Sequence, residues 1–309
     1  MKTQTETVHA SGSVTRTAGH KPDDIHVSFE FFPPKNARME NQFWASIRRL
    51  EPLNPDFFSV TYGAGGATRE RTRRTVTRMV SESRVAPAVH LTCVGVDKPG
   101  IDDMARDYWN EGVKHIIALR GDPPGGMGED YTPHPDGYAY GSDLVAGLKS
   151  IADFEISVSA YPERHPESAD WQVEIDNLKR KVDAGAARAI TQFFLTGDTF
   201  LKFEDRVRAA GIHIPIVPGL MLQPDYRRLK CMARMCGVHV PEWYADLFDG
   251  LDNDEDTRLS LTSSVVSELI AELHDEGVRH FHFYTLNRAE LAYAASRVLG
   301  LHHCIQDNA

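Results

Sequence analysis

Cysteine is scarce in this chain. Four residues, Cys93, Cys231, Cys236 and Cys304, are spread over 309 positions. None has CxxC spacing or a metal-ligand pattern, which excludes a disulfide framework and a zinc module and reads as reduced thiols in a cytosolic, cytoplasmic protein. The tail His302-His303-Cys304 reads as a solvated end. Long apolar runs are also missing: none approaches the ~20 residues of a membrane span. The first twenty residues are polar and rich in Thr, Ser and Gly, without the apolar stretch of a secretory signal, and residues 1–24 are expected to form a disordered tail. Positive charge is in deficit, with 34 Lys and Arg against 44 Asp and Glu and a net charge of -10. That balance disfavours nucleic acid or an anionic membrane as a partner. Finally, the small-residue loop Gly63 to Thr68 has neither the GxGxxG spacing and distal acid of a dinucleotide fold nor a P-loop lysine. Any nucleotide is therefore bound in a non-Rossmann way.

What is present is regular alternation. Apolar strand-like runs end at Tyr62, Cys93, Leu119, Tyr161, Phe194, Val217 and Tyr284, after a first run at Val27 to Phe32. Helical spacing follows each, as in Phe43, Ile47 and Leu50, or Trp171, Ile175, Leu178 and Val182. Ser142 is expected to cap the helix that ends at Ala152. Eight strand-helix units in about 250 residues predict an α/β chain folded as a (β/α)8 TIM barrel, a single domain with extra helices over residues 25–303 and a short tail at 304–309. A doubly wound sheet is the alternative. The loop from Gly125 to Asp136 is long for a barrel connection.

A barrel of this kind works at the C-terminal ends of its strands. Those ends carry Glu30, Thr61 and Tyr62, His90 and Thr92, Arg120 and Asp122, Tyr161 and His165, Gln192, and Asn287 and Arg288. Together they describe a wide polar and aromatic cleft for a large ligand with rings. Glu30 lies in Phe29-Glu30-Phe31-Phe32-Pro33-Pro34, where the prolines stop the strand. Burial among aromatics would raise its pKa toward the range of a general acid, although a glutamate on the wet face of an edge strand fits the same residues. Glu174, Asn177 and Lys181 share one flank of a helix and could hold a polyhydroxylated chain and a phosphate, or simply face water. Arg120-Gly121-Asp122 is an adhesion tripeptide by letter only; at a strand terminus Asp122 reads as a fixed acceptor for a heterocycle.

Eight ordered motifs then carry a resemblance: Phe29 to Pro34, Ser59 to Gly66, His90 to Cys93, Leu119 to Pro124, Ala160 to Glu163 with His165-Pro166, Asn177 to Lys181, Ile190 to Phe194, and Phe281 to Arg288. Over Val27 to Leu301 the sequence resembles bacterial methylenetetrahydrofolate reductases. The resemblance implies an oxidoreductase that passes hydride from NADH or NADPH to FAD and then to 5,10-methylenetetrahydrofolate, in a ping-pong relay that supplies methyl groups for methionine synthesis. It implies Glu30 as general acid and Asp122 as a second catalytic group that bonds the pterin and tunes the flavin. Gln192 and Arg288 would contact folate. FAD would be held by Thr61, Tyr62, Ala64, His90, Arg120, Gly121, Asp122, Tyr140, Gly141, Tyr161, His165, Glu174, Asn177, Arg180 and Lys181. No metal is implied, and a homo-oligomer is, since relatives form dimers or tetramers. The regulatory domain of eukaryotic members has no counterpart here, so no regulation by S-adenosylmethionine is implied. Gly141 and Glu174 stand where the family usually has Ala and often Asp, and Arg228 and Met232 where it has Gln and Phe.

Three other readings fit parts of the sequence. One is a flavin barrel of the proline dehydrogenase type, which has no need of an acid like Glu30. Another is a flavin-independent folate reductase, against which His90, Asn177 and Lys181 argue. The third is a non-catalytic folate- or flavin-binding protein.

Overall fold

The computed structural model describes residues 25–63, 68–123 and 130–301. The expected N-terminal tail, Ala64, the first part of the Gly-rich loop and the tail from His302 lie outside the described residues. Nine strands run in the order β1 (His26–Phe31), β2 (Phe57–Val60), β3 (Pro87–Thr92), β4 (His115–Leu119), β5 (Glu155–Ala160), β6 (Arg188–Thr191), β7 (Ile216–Val217), β8 (Gly219–Met221) and β9 (His280–Tyr284). Every pairing is parallel, and β1 lies between β2 and β9. Helices follow the strands: α1 (Ala37–Leu50), α2 (Arg69–Glu82), α3 (Lys98–Asn110), α4 (Gly141–Ile151), α5 (Trp171–Asp183), α6 (Gly197–Ala209), α7 (Tyr226–Cys236), α8 (Glu242–Phe248), α9 (Glu255–Asp275) and α10 (Ala289–Val298). This is the expected (β/α)8 barrel with extra helices.

Strand alternation sets the two faces. In β1, Phe29 and Phe31 are fully buried and pack outward among Phe43, Phe58 and Phe283. Each such ring contributes about 1.5–3 kcal/mol by leaving water. Ser28 and Glu30 alternate to the opposite face, into the barrel. Lower in the barrel a small apolar layer of Phe57, Ala88, Ile117, Ile190 and Val217 fills the interior. Parallel strands covered by helices need apolar residues on both faces, so the polar residues that do enter are the informative ones.

The seventh strand, expected to stop at Val217, resumes past Pro218 as a second short piece. Pro218 has no N–H for a ladder, so β7 pairs with β6 and β8 with β9, and the barrel closes across that proline. Its carbonyl accepts from the backbone N–H of His282 at 3.0 Å. Gly219 donates its N–H to Thr191 Oγ1 at 2.9 Å. A Cβ on Gly219 would fall 2.2 Å from the Thr191 carbonyl oxygen, so only glycine fits the seam.

Helix starts largely follow capping chemistry. Asn36, Asp170 and Asp225 accept the N–H of Met39, Val173 and Arg228. The expectation for Ser142 fails: α4 begins at Gly141 with Tyr140 as its cap residue, and Asp143 turns back to accept the Tyr140 N–H at 2.9 Å. Ser142 lies two residues past the cap position, and the Asp143 carboxylate takes the capping role. Helix α8 was not expected; it has seven residues, too few to show a helical period, and is held by Tyr244 and Phe248 stacked at 5.2 Å.

Candidate active site

At the C-terminal ends of β2 to β5 a cleft of about 730 Å³ opens, bounded on one side by α5. Thr61 and Tyr62 leave β2, and His90 and Thr92 point up from β3. Arg120, Gly121 and Asp122 leave β4, with Tyr140 and Gly141 at the start of α4. Tyr161 and His165 follow β5, and α5 presents Glu174, Asn177, Arg180 and Lys181. All fourteen of the described FAD candidates therefore line one cavity. Gly121 adopts φ +86°, and a Cβ there would strike Val94 and Thr92 at 2.6 and 2.9 Å, so the turn needs glycine.

Lys181 is the notable cation. It is half-buried, and its ammonium donates to the Ser159 carbonyl at 2.8 Å. Burial brings its pKa down to about 8, against the pull of Glu174. Among the described residues it forms no ion pair within 4 Å. A cation drawn partly out of water and satisfied only by a carbonyl invites an anionic ligand. Arg120 lies across the mouth, gripped by Glu167 and resting 4.4 Å over the Tyr131 ring. Glu174 has a structural task as well: its Oε2 accepts from the His165 N–H at 3.0 Å and the Ser168 hydroxyl at 2.6 Å, holding the loop that forms this wall. Tyr161 sits edge-on to His165 at 4.7 Å, and burial lifts its phenol to about 12, so it stays a neutral hydrogen-bonding group.

Glu30 does not line this cavity but lies beside it, and His90 belongs to both. His90 Nε2 stands 3.2 Å from Glu30 Oε2, and His282 Nε2 approaches the same oxygen at 3.5 Å. Neither ring nitrogen closes a hydrogen bond of good geometry within the described protein. The other nitrogen of His282 is tied to Ser28 Oγ at 2.7 Å. The expected rise in the Glu30 pKa is corrected here. Burial does push it up, but the electrostatic pull of His90 and the approach of the two imidazoles to its Oε2 outweigh burial and hold the carboxyl at about 2. Burial in turn lowers His282. The acid-base unit is therefore the cluster of one carboxylate and two imidazoles, whose protons belong to the group. The aromatic neighbours in sequence are not what surrounds the carboxylate, since Phe29 and Phe31 face the helices and Phe32 faces solvent.

Two further candidates stand off the cleft. Gln192 follows β6 and accepts the N–H of Phe193 with its own Oε1 at 3.0 Å. Arg288 caps α10 and lies 3.5 Å from Glu255 of α9. Arg228 is exposed and pairs with Asp225, while Met232 packs against a small cluster around Leu229 and Phe248. His282, which faces Glu30, is the residue of this cluster that sequence reading passed over. Its signal was the alternation His280-Phe281-His282-Phe283, which places two imidazoles on the face opposite two buried phenylalanines.

A parallel barrel with a polar cleft at its strand ends and an acid-base cluster buried beside it has the build of a barrel enzyme. Relatives place it more narrowly. The chain is 46% identical over 295 residues to the 5,10-methylenetetrahydrofolate reductase of Escherichia coli (strain K12), covering 95% of this chain and 97% of that one. It is 45% identical over 279 residues to the enzyme of the same name from Buchnera aphidicola subsp. Acyrthosiphon pisum, covering 90% and 93%. Methylenetetrahydrofolate reductase (NADH) 1 of Arabidopsis thaliana is 36% identical over 286 residues, covering 89% of this chain and 48% of the longer plant protein. The chain belongs to the methylenetetrahydrofolate reductase family, whose model matches residues 16–300, and is an oxidoreductase of that family. Among solved structures, a Clostridium thermocellum protein described as binding two copies of 5-methyl-5,6,7,8-tetrahydrofolic acid superposes with a TM-score of 0.59 at 14% identity. That match covers 89% of this chain and 93% of that one, and is a likeness of fold. No helix among the described residues is long and apolar enough to cross a membrane.

Proposed function

We propose that this protein reduces 5,10-methylenetetrahydrofolate to 5-methyltetrahydrofolate with NADH or NADPH, using FAD held in the cleft, the two substrates taking turns. The observation that carries the reading is Lys181, a half-buried ammonium with no ion-pair partner among the described residues, lining the cleft with Arg180 and Asn177. A dinucleotide pyrophosphate supplies the missing negative charge. The cleft's size falls in the usual range for a bound cofactor, and the buried Thr92 hydroxyl is left without a hydrogen-bond partner for a ring system to meet. FAD, when bound, supplies the two-electron relay between nicotinamide and folate.

The chain's own groups do the rest. Asp122 follows β4 at the edge of the cleft, where its carboxylate accepts hydrogen bonds from the pterin. Gln192 is within one residue of β6 and turns from the Phe193 N–H to a substrate amide. Arg288 meets the carboxylates of the folate tail by exchanging its contact with Glu255. The Glu30, His90 and His282 cluster delivers the proton that releases the folate nitrogen and opens the bridging ring. Substrate entry displaces water and strengthens burial, which favours the protonated carboxyl. His282 can pass a proton between Glu30 on one nitrogen and Ser28 on the other.

An anaerobic absorbance titration tests this. A flavin band that bleaches with NADH and returns with methylenetetrahydrofolate is the expected result. A protein that stays colourless after FAD is added back favours direct transfer from nicotinamide to folate, and oxidation of proline favours the other flavin barrel class.

A further inference from the structure

The other end of the barrel holds a second cluster, unconnected with the cleft. His26 is the first residue of β1 and His280 the first of β9, and the two are directly paired across the ladder. Asp56 precedes β2, and its N–H is fixed to the Val27 carbonyl at 2.9 Å. His26 is fixed likewise, its N–H donating to the Arg279 carbonyl at 2.8 Å. The backbone of the barrel thus sets all three side chains together before any ligand arrives. Their ligand atoms lie within 4.8 Å of one another, and a cavity of about 10 Å³ opens beside them.

We propose that His26, Asp56 and His280 form a binding site for a divalent transition metal of the zinc class. Two imidazoles and one carboxylate are the donor set of many three-ligand zinc sites, with solvent in the fourth position. Here the ligands reach the barrel mouth half-exposed, so water can fill that place. The spacing is close to what is needed: bonds of about 2.0–2.2 Å put tetrahedral ligands roughly 3.3 Å apart. His26 Nδ1 and Asp56 Oδ1 already lie 2.9 Å apart. The two rings are stacked, with centroids at 4.4 Å and planes 7° apart. Parallel rings do not aim at one point, so binding turns one imidazole about its outer torsion, which is soft. Arg188 lines the same cavity, and its charge is taken up by Glu155 at 2.5 Å. Arg188, Asp56 and His26 are the charged or titratable groups facing His280.

The test is calorimetric titration of the full chain with zinc chloride at pH 7.5, beside His280→Asn, Asp56→Asn and Cys304→Ser. The last separates this site from the His302-His303-Cys304 tail. The expected result is one equivalent bound at micromolar affinity, weakened at least roughly tenfold in both ligand variants and unchanged in Cys304→Ser. Cobalt added in place of zinc gives a visible absorption band in the wild type that both ligand variants lose. Equal binding by wild type, His280→Asn and Asp56→Asn overturns the proposal, as does the absence of binding at 0.1 mM zinc; in that case the cluster is an ion pair and nothing more. Neither ligand variant touches the cleft, so flavin content and reductase activity are read independently.

Discussion

His115 makes the barrel sensitive to acid. It opens β4 inside the barrel, 5% exposed, with Nε2 2.8 Å from Ser157 Oγ and its ring edge-on to Phe57 at 4.4 Å. Burial, and then the charges of Arg188, His282 and His90, bring its pKa from 6.5 to about 3. The unfolded chain takes up a proton here as the pH falls below 6.5, while the folded chain does not until about 3. Through that window the unfolded state binds more protons, so stability falls as pH falls. At pH 5 the gap is about 1.5 pH units below the unfolded value, worth about 2 kcal/mol from this one group. We expect His115→Gln, which keeps a polar partner for Ser157, to lower stability at pH 7.5 but to remove that share of the acid loss. Urea midpoints followed by circular dichroism at pH 7.5 and pH 5.0 measure both. If the wild type and the variant lose the same stability between the two pH values, His115 is not neutral and buried as described.

Three further outcomes follow from the site and the seam. Glu30→Gln is expected to leave bleaching of the flavin by NADH nearly intact and to slow folate reduction by about 10²–10⁴-fold, the usual range for a general acid; an equal fall in both half-reactions contradicts its role. Lys181→Ala removes a charge-assisted contact worth about 1.5–3 kcal/mol, so FAD should dissociate on dilution roughly 10–100 times more readily. In the wild type FAD affinity should decline as pH rises through about 8, where the ammonium loses its proton, and unchanged FAD content in the variant after gel filtration refutes both expectations. Gly219→Ala forces a methyl group against the Thr191 carbonyl and should cost about 1–3 kcal/mol or more; an unchanged urea midpoint shows that the seam can yield.

Local chemistry made much of this legible. Strand-helix alternation and the flank of α5 depend on residues close in sequence, and the structure places them as expected. The cleft was readable because barrel strand ends converge whatever the loops do. What escaped reading depends on partners from distant strands. Burial of Glu30 could be read from its neighbours, but the imidazoles facing it come from β3 and β9, and their charge reverses the sign of the shift. The break at Pro218 could be read from the missing N–H, but its use as the closing seam follows only from the register of β6 and β9. Tyr140 heads α4 because Asp143 folds back, a three-residue contact hidden by the more familiar serine between them.

The pairing of the first strand with the last has a consequence for the chain as it is made. Ser28 meets His282 across 254 residues. At a ribosomal rate of roughly 5–20 residues per second, β1 waits about 10–50 s for β9 after it has emerged. During that interval one side of β1 offers unpaired N–H and C=O groups, backed by aromatic rings, to any strand nearby. A β9 from another copy matches that edge in sequence and register as well as the chain's own does. Crowded synthesis thus favours exchanged barrels, and slower translation early in the chain, or a chaperone that covers the Phe29-Glu30-Phe31 edge, would raise the yield of correctly closed ones.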